Sequence, residues 1–387
     1  MQSPFPRSLI RLLAVGACVA LAPAAVAQVK VGVTVSATGP AASLGIPEKN
    51  TIPLCPKAAG GKSIEYILLD DATDTTTAVQ NTRKLISENK VDAIIGSTTT
   101  PNSLAMIDVF SEGETPVISL ASSIRIIDPV DAKKAWSFKT PQTDVMMAGA
   151  ILEHASNNGV KNIAYIGFND ALGEAFFTEV DKAAKVRNIP MVANERFAPK
   201  DTSVTGQVLK LVSANPDAIV IGASGTPAAT PASALRERGY KGKIYFNHGV
   251  ANNDFLRVGG KDVEGAFVPA SPVIVAYQLP DDHPAKKRAE EYTKIYEASY
   301  GLGSVAAFGS YAWDACLEVV NAIPAALKAG QPGTVEFRRA LRDALEATKN
   351  LEVTNGSVTM SKSDHLGLDS RARVMVQIQK GKWVLQK

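Results

Sequence analysis

Residues 94–103 read, in order, Ile94-Ile95-Gly96-Ser97-Thr98-Thr99-Thr100-Pro101-Asn102-Ser103. The segment 91–95 is short, apolar and rich in β-branched residues, which predicts a buried strand, and Gly96 lets the backbone turn sharply where that strand ends. Pro101 suits the first turn of a helix, because its missing N–H would have no partner there. The hydroxyl groups and free backbone N–H groups of such a helix start can bind a carboxylate or a phosphate without a charged side chain.

A second turn of the same kind follows along the chain. Residues 117–123 read Val-Ile-Ser-Leu-Ala-Ser-Ser, again a short apolar strand that runs into hydroxyl residues. One such turn by itself is most simply a capped and solvated loop. Two of them in succession favour a site for an anion.

Strands and helices are predicted to alternate along the whole chain, which indicates an α/β fold. The pattern begins with a strand at 29–35, a helix somewhere in 47–59, a strand at 64–69 and a helix at 75–89. This order predicts a parallel sheet with right-handed crossovers, with ligands beyond the carboxyl ends of its strands.

The same order restarts near residue 141, so we expect a second doubly wound unit. Its predicted helices cover 143–157 and 172–186, and its predicted strands cover 163–167, 190–197, 218–222 and 243–246. Further helices are predicted at 284–299, 306–327 and 335–345, and strands at 357–360, 374–379 and 383–385. No Gly- or Pro-rich linker separates the units, which favours two lobes joined by short crossovers.

The first 27 residues are typical of a cleaved secretory leader. Arg7 and Arg11 precede an apolar run at 12–21, and 25–27 supplies the small residues of a cleavage site. The alternative of a lipid anchor at Cys18 leaves only six apolar residues after Arg11. We therefore expect an exported, periplasmic protein that begins after this cleavage site.

The composition bounds the class of partner. The chain has 387 residues of which 45% are hydrophobic, enough for two cores. Without Arg7 and Arg11 the charge balance is 39 basic against 38 acidic residues, which gives no support to a nucleic-acid partner. The two cysteines that remain, Cys55 and Cys316, could pair in an exported protein, but their spacing leaves this open.

Motifs for catalysis and for cofactors fail in this sequence. Gly61-Lys62-Ser63 has Pro56 where a phosphate loop needs a glycine, and Ser224 has Thr226 where a nucleophile elbow needs one. No Gly-x-Gly-x-x-Gly follows the first strand. The four histidines stand singly, so we expect no metal site and no cofactor.

Several short motifs occur together in one order, and this order resembles a known family. They are Gly39-Pro40, Asp70-Asp71, the turn at 96–101, the turn at 118–123, Gly173-Glu174 and Gly249-Val250-Ala251-Asn252. The chain from residue 29 to 387 thereby resembles periplasmic binding proteins of the leucine/isoleucine/valine type. The resemblance implies a type I periplasmic binding fold, in which three crossovers join two lobes around a ligand cleft. On that pattern residues 29–140 plus 271–348 form the N-terminal lobe, and 141–270 plus 349–387 form the C-terminal lobe.

The resemblance also implies a set of ligand-binding residues. In the first lobe the hydroxyls of Thr100 and Ser123 are expected to bind a carboxylate, beside Thr99, Ala121 and Ser122. The second lobe departs from the amino-acid-binding pattern, because Leu172 and Ser224 replace tyrosines and His248 replaces the glutamate that holds an α-ammonium group. Leu44 replaces a frequent aromatic residue, and Phe308 is expected to form an apolar wall.

These features predict a monomeric, non-enzymatic solute-binding protein of an ATP-driven (ABC) importer. Its ligand is expected to be a small carboxylate without an amino group, first an aromatic acid and second a short aliphatic or oxo acid. Its other partners would be the membrane permease subunits of the importer. The alternatives are a branched-chain amino acid as ligand, a sensor that reports ligand to a receptor, and, from another class, an exported hydrolase.

Overall fold

A computed structural model describes residues 28–386 as an α/β protein with two large sheets. The predicted leader at 1–27 lies outside the described residues. Within them, no helix is both long enough and apolar enough to cross a membrane.

The strands of the first half and the second half build separate sheets. The strands are β1 Val29–Val35, β2 Ala58–Ala59, β3 Lys62–Asp70, β4 Ala93–Gly96, β5 Val117–Ser119, β6 Ser137–Lys139, β7 Ile163–Phe168, β8 Met191–Phe197, β9 Ala218–Gly222, β10 Lys243–Phe246, β11 Phe267–Ala270, β12 Leu351–Val353, β13 Gly356–Val358, β14 Val374–Gln379 and β15 Lys382–Leu385. The first sheet has the order β2-β3-β1-β4-β5-β6, and the second has the order β15-β14-β11-β10-β9-β7-β8. We call each sheet with the helices packed on it a lobe.

Helices follow most strands and cover the sheets. They are α1 Ala42–Thr51, α2 Thr75–Ser87, α3 Thr100–Glu112, α4 Asp144–Asn157, α5 Ala171–Val186, α6 Thr205–Ser213, α7 Ala229–Glu237, α8 Asn253–Gly259, α9 Lys286–Tyr300, α10 Ala307–Ala326 and α11 Val335–Glu346. The central strands of both sheets are parallel, while β2, β14 and β15 pair antiparallel. The predicted α/β class with parallel-dominated sheets is confirmed.

The first helix differs from its prediction. It covers Ala42–Thr51 rather than a part of 47–59, and Pro47 lies inside it. This helix has hardly any amphipathic periodicity, because polar Ser43 and Glu48 are buried together with Leu44. The periodic signal on which the prediction depended is therefore missing.

Three crossovers pass between the lobes and are tied to one another by buried side chains. Gln142 on the first crossover donates from Nε2 to Asn355 Oδ1 at 2.8 Å, and Ser271 Oγ on the second donates to the same oxygen at 2.7 Å. Asn355, on the third, donates from Nδ2 to Asp314 Oδ2 in α10 at 2.7 Å. The crossovers are thus anchored together on a helix of the first lobe.

Candidate functional site

A pocket lies between the lobes, where the carboxyl ends of the strands face each other. It is lined by Leu44, Thr98, Thr99, Thr100, Leu120, Ala121, Ser122, Pro141, Leu172, Ser224, Asn247, His248, Gly249, Phe308 and Tyr311. Nine of the ten residues predicted from the sequence are in this set, and Ser123 is not. The turns after β4, β5, β9 and β10 therefore meet in one place, as expected for parallel sheets.

The turn between β4 and α3 presents two free hydroxyl groups. Gly96 has a φ of +121°, and a Cβ there would lie 1.9 Å from the carbonyl oxygen of Thr34, so only glycine fits. Oγ1 of Thr99 and Oγ1 of Thr100 are buried, yet neither has a hydrogen-bond partner among residues 28–386. Buried hydroxyls normally find a partner, so these two are candidates for binding a ligand.

The neighbouring Thr98 lines the pocket but its hydroxyl is already used. It accepts from the Ser36 N–H at 2.8 Å and donates to Oε2 of Glu48. Burial raises the pKa of Glu48, and the charge of Asp71 raises it further, although the Thr98 hydrogen bond lowers it. The Thr98 hydroxyl therefore supports the turn rather than the ligand.

The turn after β5 contains one predicted residue that does not line the pocket. Ser123 lies outside the pocket lining, and its hydroxyl donates to Oδ2 of Asp144 at 3.0 Å and accepts from the Arg125 N–H at 3.3 Å. It caps the short 3₁₀ helix 124–126, and its donation to a ligand stays a prediction. Ser122 lines the pocket instead, next to Ala121.

A lysine that the sequence analysis missed lies directly behind this turn. Lys139, the last residue of β6, is fully buried, and its Nζ donates to the carbonyl oxygens of Ser122, Pro141 and Gln142 at 2.8, 2.7 and 3.2 Å. Burial lowers its pKa to about 7, although the charge of Asp144 opposes this. A lysine at the end of a three-residue strand carries no sequence signal that distinguishes it from a surface lysine.

The second lobe contributes an apolar side chain and a neutral imidazole. Leu172 lies in the first turn of α5, and Ser224 follows β9. His248 is buried, and its Nδ1 has no partner among the described residues. Burial, and then the charge of Lys139, lowers the His248 pKa to about 3, so the imidazole is uncharged near neutral pH.

Apolar groups of the first lobe close the remaining sides. Leu44 and Phe308 are buried, and the rings of Phe308 and Tyr311 pack edge to face with centroids 5.5 Å apart. The Tyr311 hydroxyl donates to Oε1 of Gln142 on the first crossover at 3.0 Å. A disulfide between Cys55 and Cys316, a pairing that the sequence left open, ties the end of the α1 segment to α10.

Besides Lys139, which lies behind the lining, sequence reasoning missed several residues that line the pocket. Tyr311 could have been found, because it lies three residues after Phe308 and thus on the same helix face. Asn247 and Gly249 flank His248 and could have been included with it. Leu120 and Pro141 have no signal of their own, because their positions depend on how the strands pair.

A second cavity lies next to the pocket, and Thr99, Leu172 and Ser224 line both spaces. Within residues 28–386 no cluster of His, Cys, Asp or Glu has the arrangement of a metal site.

Comparisons with known proteins agree with this architecture. The sequence model of a family described as periplasmic binding protein matches residues 28–382. A Leu/Ile/Val-binding protein homolog 3 of Brucella melitensis is 23% identical over 372 residues, which cover 94% of this chain and 95% of that protein.

Solved structures are also similar. The crystal structure of an extracellular ligand-binding receptor from Rhodopseudomonas palustris HaA2 has 43% identity and a TM-score of 0.89, and the match covers 93% of this chain and 100% of that one. A solute-binding protein of an ABC transporter from Rhodopseudomonas palustris BisB5, in complex with 3,4-dihydroxy benzoic acid, has 21% identity and a TM-score of 0.77. That match covers 93% of this chain and 96% of the other, and at this identity it shows the fold alone.

Proposed function

The chain belongs to the periplasmic binding protein family, and we propose that it captures a small organic carboxylate, preferably an aromatic acid, for import across the membrane. The observation that carries this proposal is the pair of buried, unpartnered hydroxyls of Thr99 and Thr100, which face a pocket with apolar walls. The ligand carboxylate would accept from these hydroxyls, and its ring would lie between Leu44, Leu172 and Phe308. The protein would bind this ligand between its lobes and release it chemically unchanged.

The charges around the pocket argue against an α-amino acid. A buried ammonium group needs an anionic or well-placed acceptor partner, because an unpaired buried charge is costly. His248 is uncharged near neutral pH, burial raises the pKa of Glu48, and Oε2 of Glu48 accepts from the Thr98 hydroxyl. The Asp144 carboxylate accepts hydrogen bonds from the Ser123 hydroxyl and the Ile124 N–H. Neither carboxyl group lines the pocket, so a ligand ammonium would find no carboxylate among the described residues of the pocket wall.

The free Nδ1 of His248 supplies a second polar contact. A neutral imidazole nitrogen can donate or accept, depending on which ring nitrogen carries the proton. It would therefore bind a ring hydroxyl or a second acidic group at the far end of the ligand. The solute-binding protein from Rhodopseudomonas palustris BisB5, which holds 3,4-dihydroxy benzoic acid, shows that this fold accommodates such a molecule.

A branched-chain amino acid or its oxo acid is the second candidate ligand. The name of the Brucella melitensis relative favours it, since that protein is a Leu/Ile/Val-binding homolog. Of these two, the oxo acid fits the charges better, because it lacks the ammonium group. Two alternative functions remain. A ligand sensor for a receptor would use the same pocket, whereas an exported hydrolase would convert the bound molecule into a product.

Closure of the lobes about the crossovers is the proposed mechanism of capture. Pocket residues come from both lobes, so contacts of the ligand with all of them exist only when the lobes are together. The domains would be residues 29–140 plus 271–348 and 141–270 plus 349–387. A periplasmic monomer of this kind would present its closed form to the permease subunits of an ABC importer.

Calorimetric titration with leucine, benzoate, 4-hydroxybenzoate and a branched oxo acid tests the proposal. We expect at least one acid to bind, to be recovered unchanged, and to raise the melting temperature. A ligand at about 100 times its Kd stabilises the folded state by about 2.7 kcal/mol. Tight binding of leucine with all three acids silent would contradict the proposed ligand class, and turnover of the acid would indicate the hydrolase.

A further inference from the structure

Lys139 lies behind the pocket wall and uses all its donors on backbone carbonyls. An ammonium group has three N–H donors, and the three acceptors are the carbonyl oxygens of Ser122, Pro141 and Gln142. Ser122 and Pro141 both line the pocket. The acceptors are neutral, so they satisfy the hydrogen bonds of Lys139 without cancelling its charge.

The contact with Ser122 also sets the direction of a peptide group. In a trans peptide the C=O and N–H bonds point in opposite directions. Because Lys139 Nζ and the Asp144 N–H both donate to the Ser122 carbonyl oxygen, the N–H of Ser123 points away from Lys139. The Ser123 N–H has no acceptor among residues 28–386, so it is available to donate to an anion.

Two titratable groups of the second lobe, Asp144 and His248, face Lys139. Asp144 on α4 favours the charged ammonium, and its carboxylate oxygens accept from Ser123, Ile124 and Val145. His248 of the second lobe feels the charge of Lys139, which helps to keep the imidazole neutral. A ligand carboxylate in the pocket would place a further negative charge near Lys139.

We propose that Lys139 is a positioning residue for the ligand anion, supplying a buried positive charge and holding the Ser123 N–H towards the pocket. This inference rests on the proposed function and deepens it, because it names the charge that selects a carboxylate over a neutral amide of the same shape. Lys139 also joins the anion turn to the first crossover through Pro141 and Gln142. Lys139 therefore contacts both the turn that binds the ligand anion and the crossover about which the lobes close.

The proposal has a proton-linked consequence. Burial places the pKa of Lys139 at about 7, so in the empty protein the group loses its proton as the pH rises above 7. A bound carboxylate would raise this pKa, because an opposite charge favours the ammonium form. Binding should therefore take up a proton above pH 7, and affinity should fall with rising pH, by up to about tenfold per pH unit.

The experiment uses benzoate and benzamide as matched probes on the mature protein. Titrations run between pH 6.5 and 9 in buffers of different ionisation enthalpy, for the wild type, Lys139→Met and Lys139→Arg. The wild type should prefer benzoate, take up a proton on binding it above pH 7, and show no such uptake with benzamide. Lys139→Met should lose at least about tenfold in benzoate affinity and lose the proton uptake.

The Lys139→Arg variant separates charge from packing. A guanidinium group stays charged over this range, so benzoate binding should become independent of pH while the preference for the acid is kept. Benzoate binding by the wild type without proton uptake or pH dependence would overturn the inference, whether or not the variants fold. Equal benzoate affinity in Lys139→Met would overturn it too. If the wild type binds no benzoate at any pH while it binds leucine, the proposed function fails and this inference with it.

Discussion

Nε2 of Gln142 donates to Oδ1 of Asn355 at 2.8 Å, so that side chains 213 residues apart join the first and third crossovers. The same Asn355 oxygen accepts from Ser271 on the second crossover. The side-chain oxygen of Asn355 therefore links all three connections between the lobes. Any hinge motion must leave this cluster intact or break buried hydrogen bonds.

The first prediction concerns this cluster. Asn355→Leu removes the acceptor of Gln142 and Ser271 and leaves Asp314 with one donor fewer. Leaving buried polar groups unpaired costs about 1–3 kcal/mol each, so the free energy of unfolding should fall by at least that amount. Urea denaturation measures it, and Asn157→Ala, at an exposed position in the last turn of α4, serves as control. An unchanged midpoint would show that the cluster contributes nothing to stability.

The second prediction separates ligand-binding hydroxyls from helix caps. Thr100→Val keeps the shape and removes one hydrogen bond to the ligand anion, so it should weaken acid binding by about 1.5–3 kcal/mol while apo stability stays nearly constant. Thr99→Val should act in the same direction. Affinity is measured by calorimetry and stability by thermal unfolding. Normal binding in both variants would place the carboxylate elsewhere.

The matched variant for that experiment is Ser123→Ala. Its hydroxyl donates to Asp144 and caps a short helix, so its loss should lower apo stability by about 1 kcal/mol. Ligand affinity should change less than in Thr100→Val, because the Ser123 backbone N–H is kept. A larger loss of affinity than of stability would restore the Ser123 hydroxyl as a ligand donor.

The third prediction concerns His248 and acid stability. Its pKa in the folded protein is about 3, well below the value of about 6.5 of an exposed histidine. Below pH 6.5 the unfolded chain therefore binds the proton more readily, and stability should fall as the pH decreases towards 3. At pH 4.5 the shifted pKa of His248 alone should lower the free energy of unfolding by about 2–3 kcal/mol, relative to its value above pH 6.5. His248→Asn should flatten this part of the stability profile, and a profile that stays the same would show that His248 is charged or exposed.

The fourth prediction concerns the disulfide. Cys55 and Cys316 are separated by 261 residues, and their bond ties the α1 segment to α10, which carry Leu44 and Phe308. The double substitution to serine should lower the free energy of unfolding by about 2–4 kcal/mol. It should also weaken ligand binding, since the two pocket walls lose their link. Reduction of the wild type should reproduce both effects, and unchanged unfolding after complete reduction would contradict the prediction.

Local patterns in the sequence were sufficient to predict most of the strands and helices of the fold. Strands such as 29–35, 218–222 and 374–379 match their predicted limits, because continuous apolar or alternating runs and turn residues mark their ends. The helix at 42–51 was placed too late, since its buried face includes Ser43 and Glu48. The burial of Glu48 depends on its hydrogen bond with Thr98, which is 50 residues away.

The sequence by itself determined that hydroxyl-rich turns follow two neighbouring parallel strands, and that the second lobe lacks a carboxylate at position 248. Which hydroxyls stay free was decided only by the tertiary structure. Thr98 is engaged by Glu48, and Ser123 by Asp144, while Thr99 and Thr100 are left without partners. The burial of Lys139 was likewise decided by the tertiary structure, because its three acceptors come from a strand turn and a crossover that meet only when the sheet forms. Hydrogen-bond partners and dielectric surroundings belong to the folded arrangement, and residue type and spacing along the chain do not specify them.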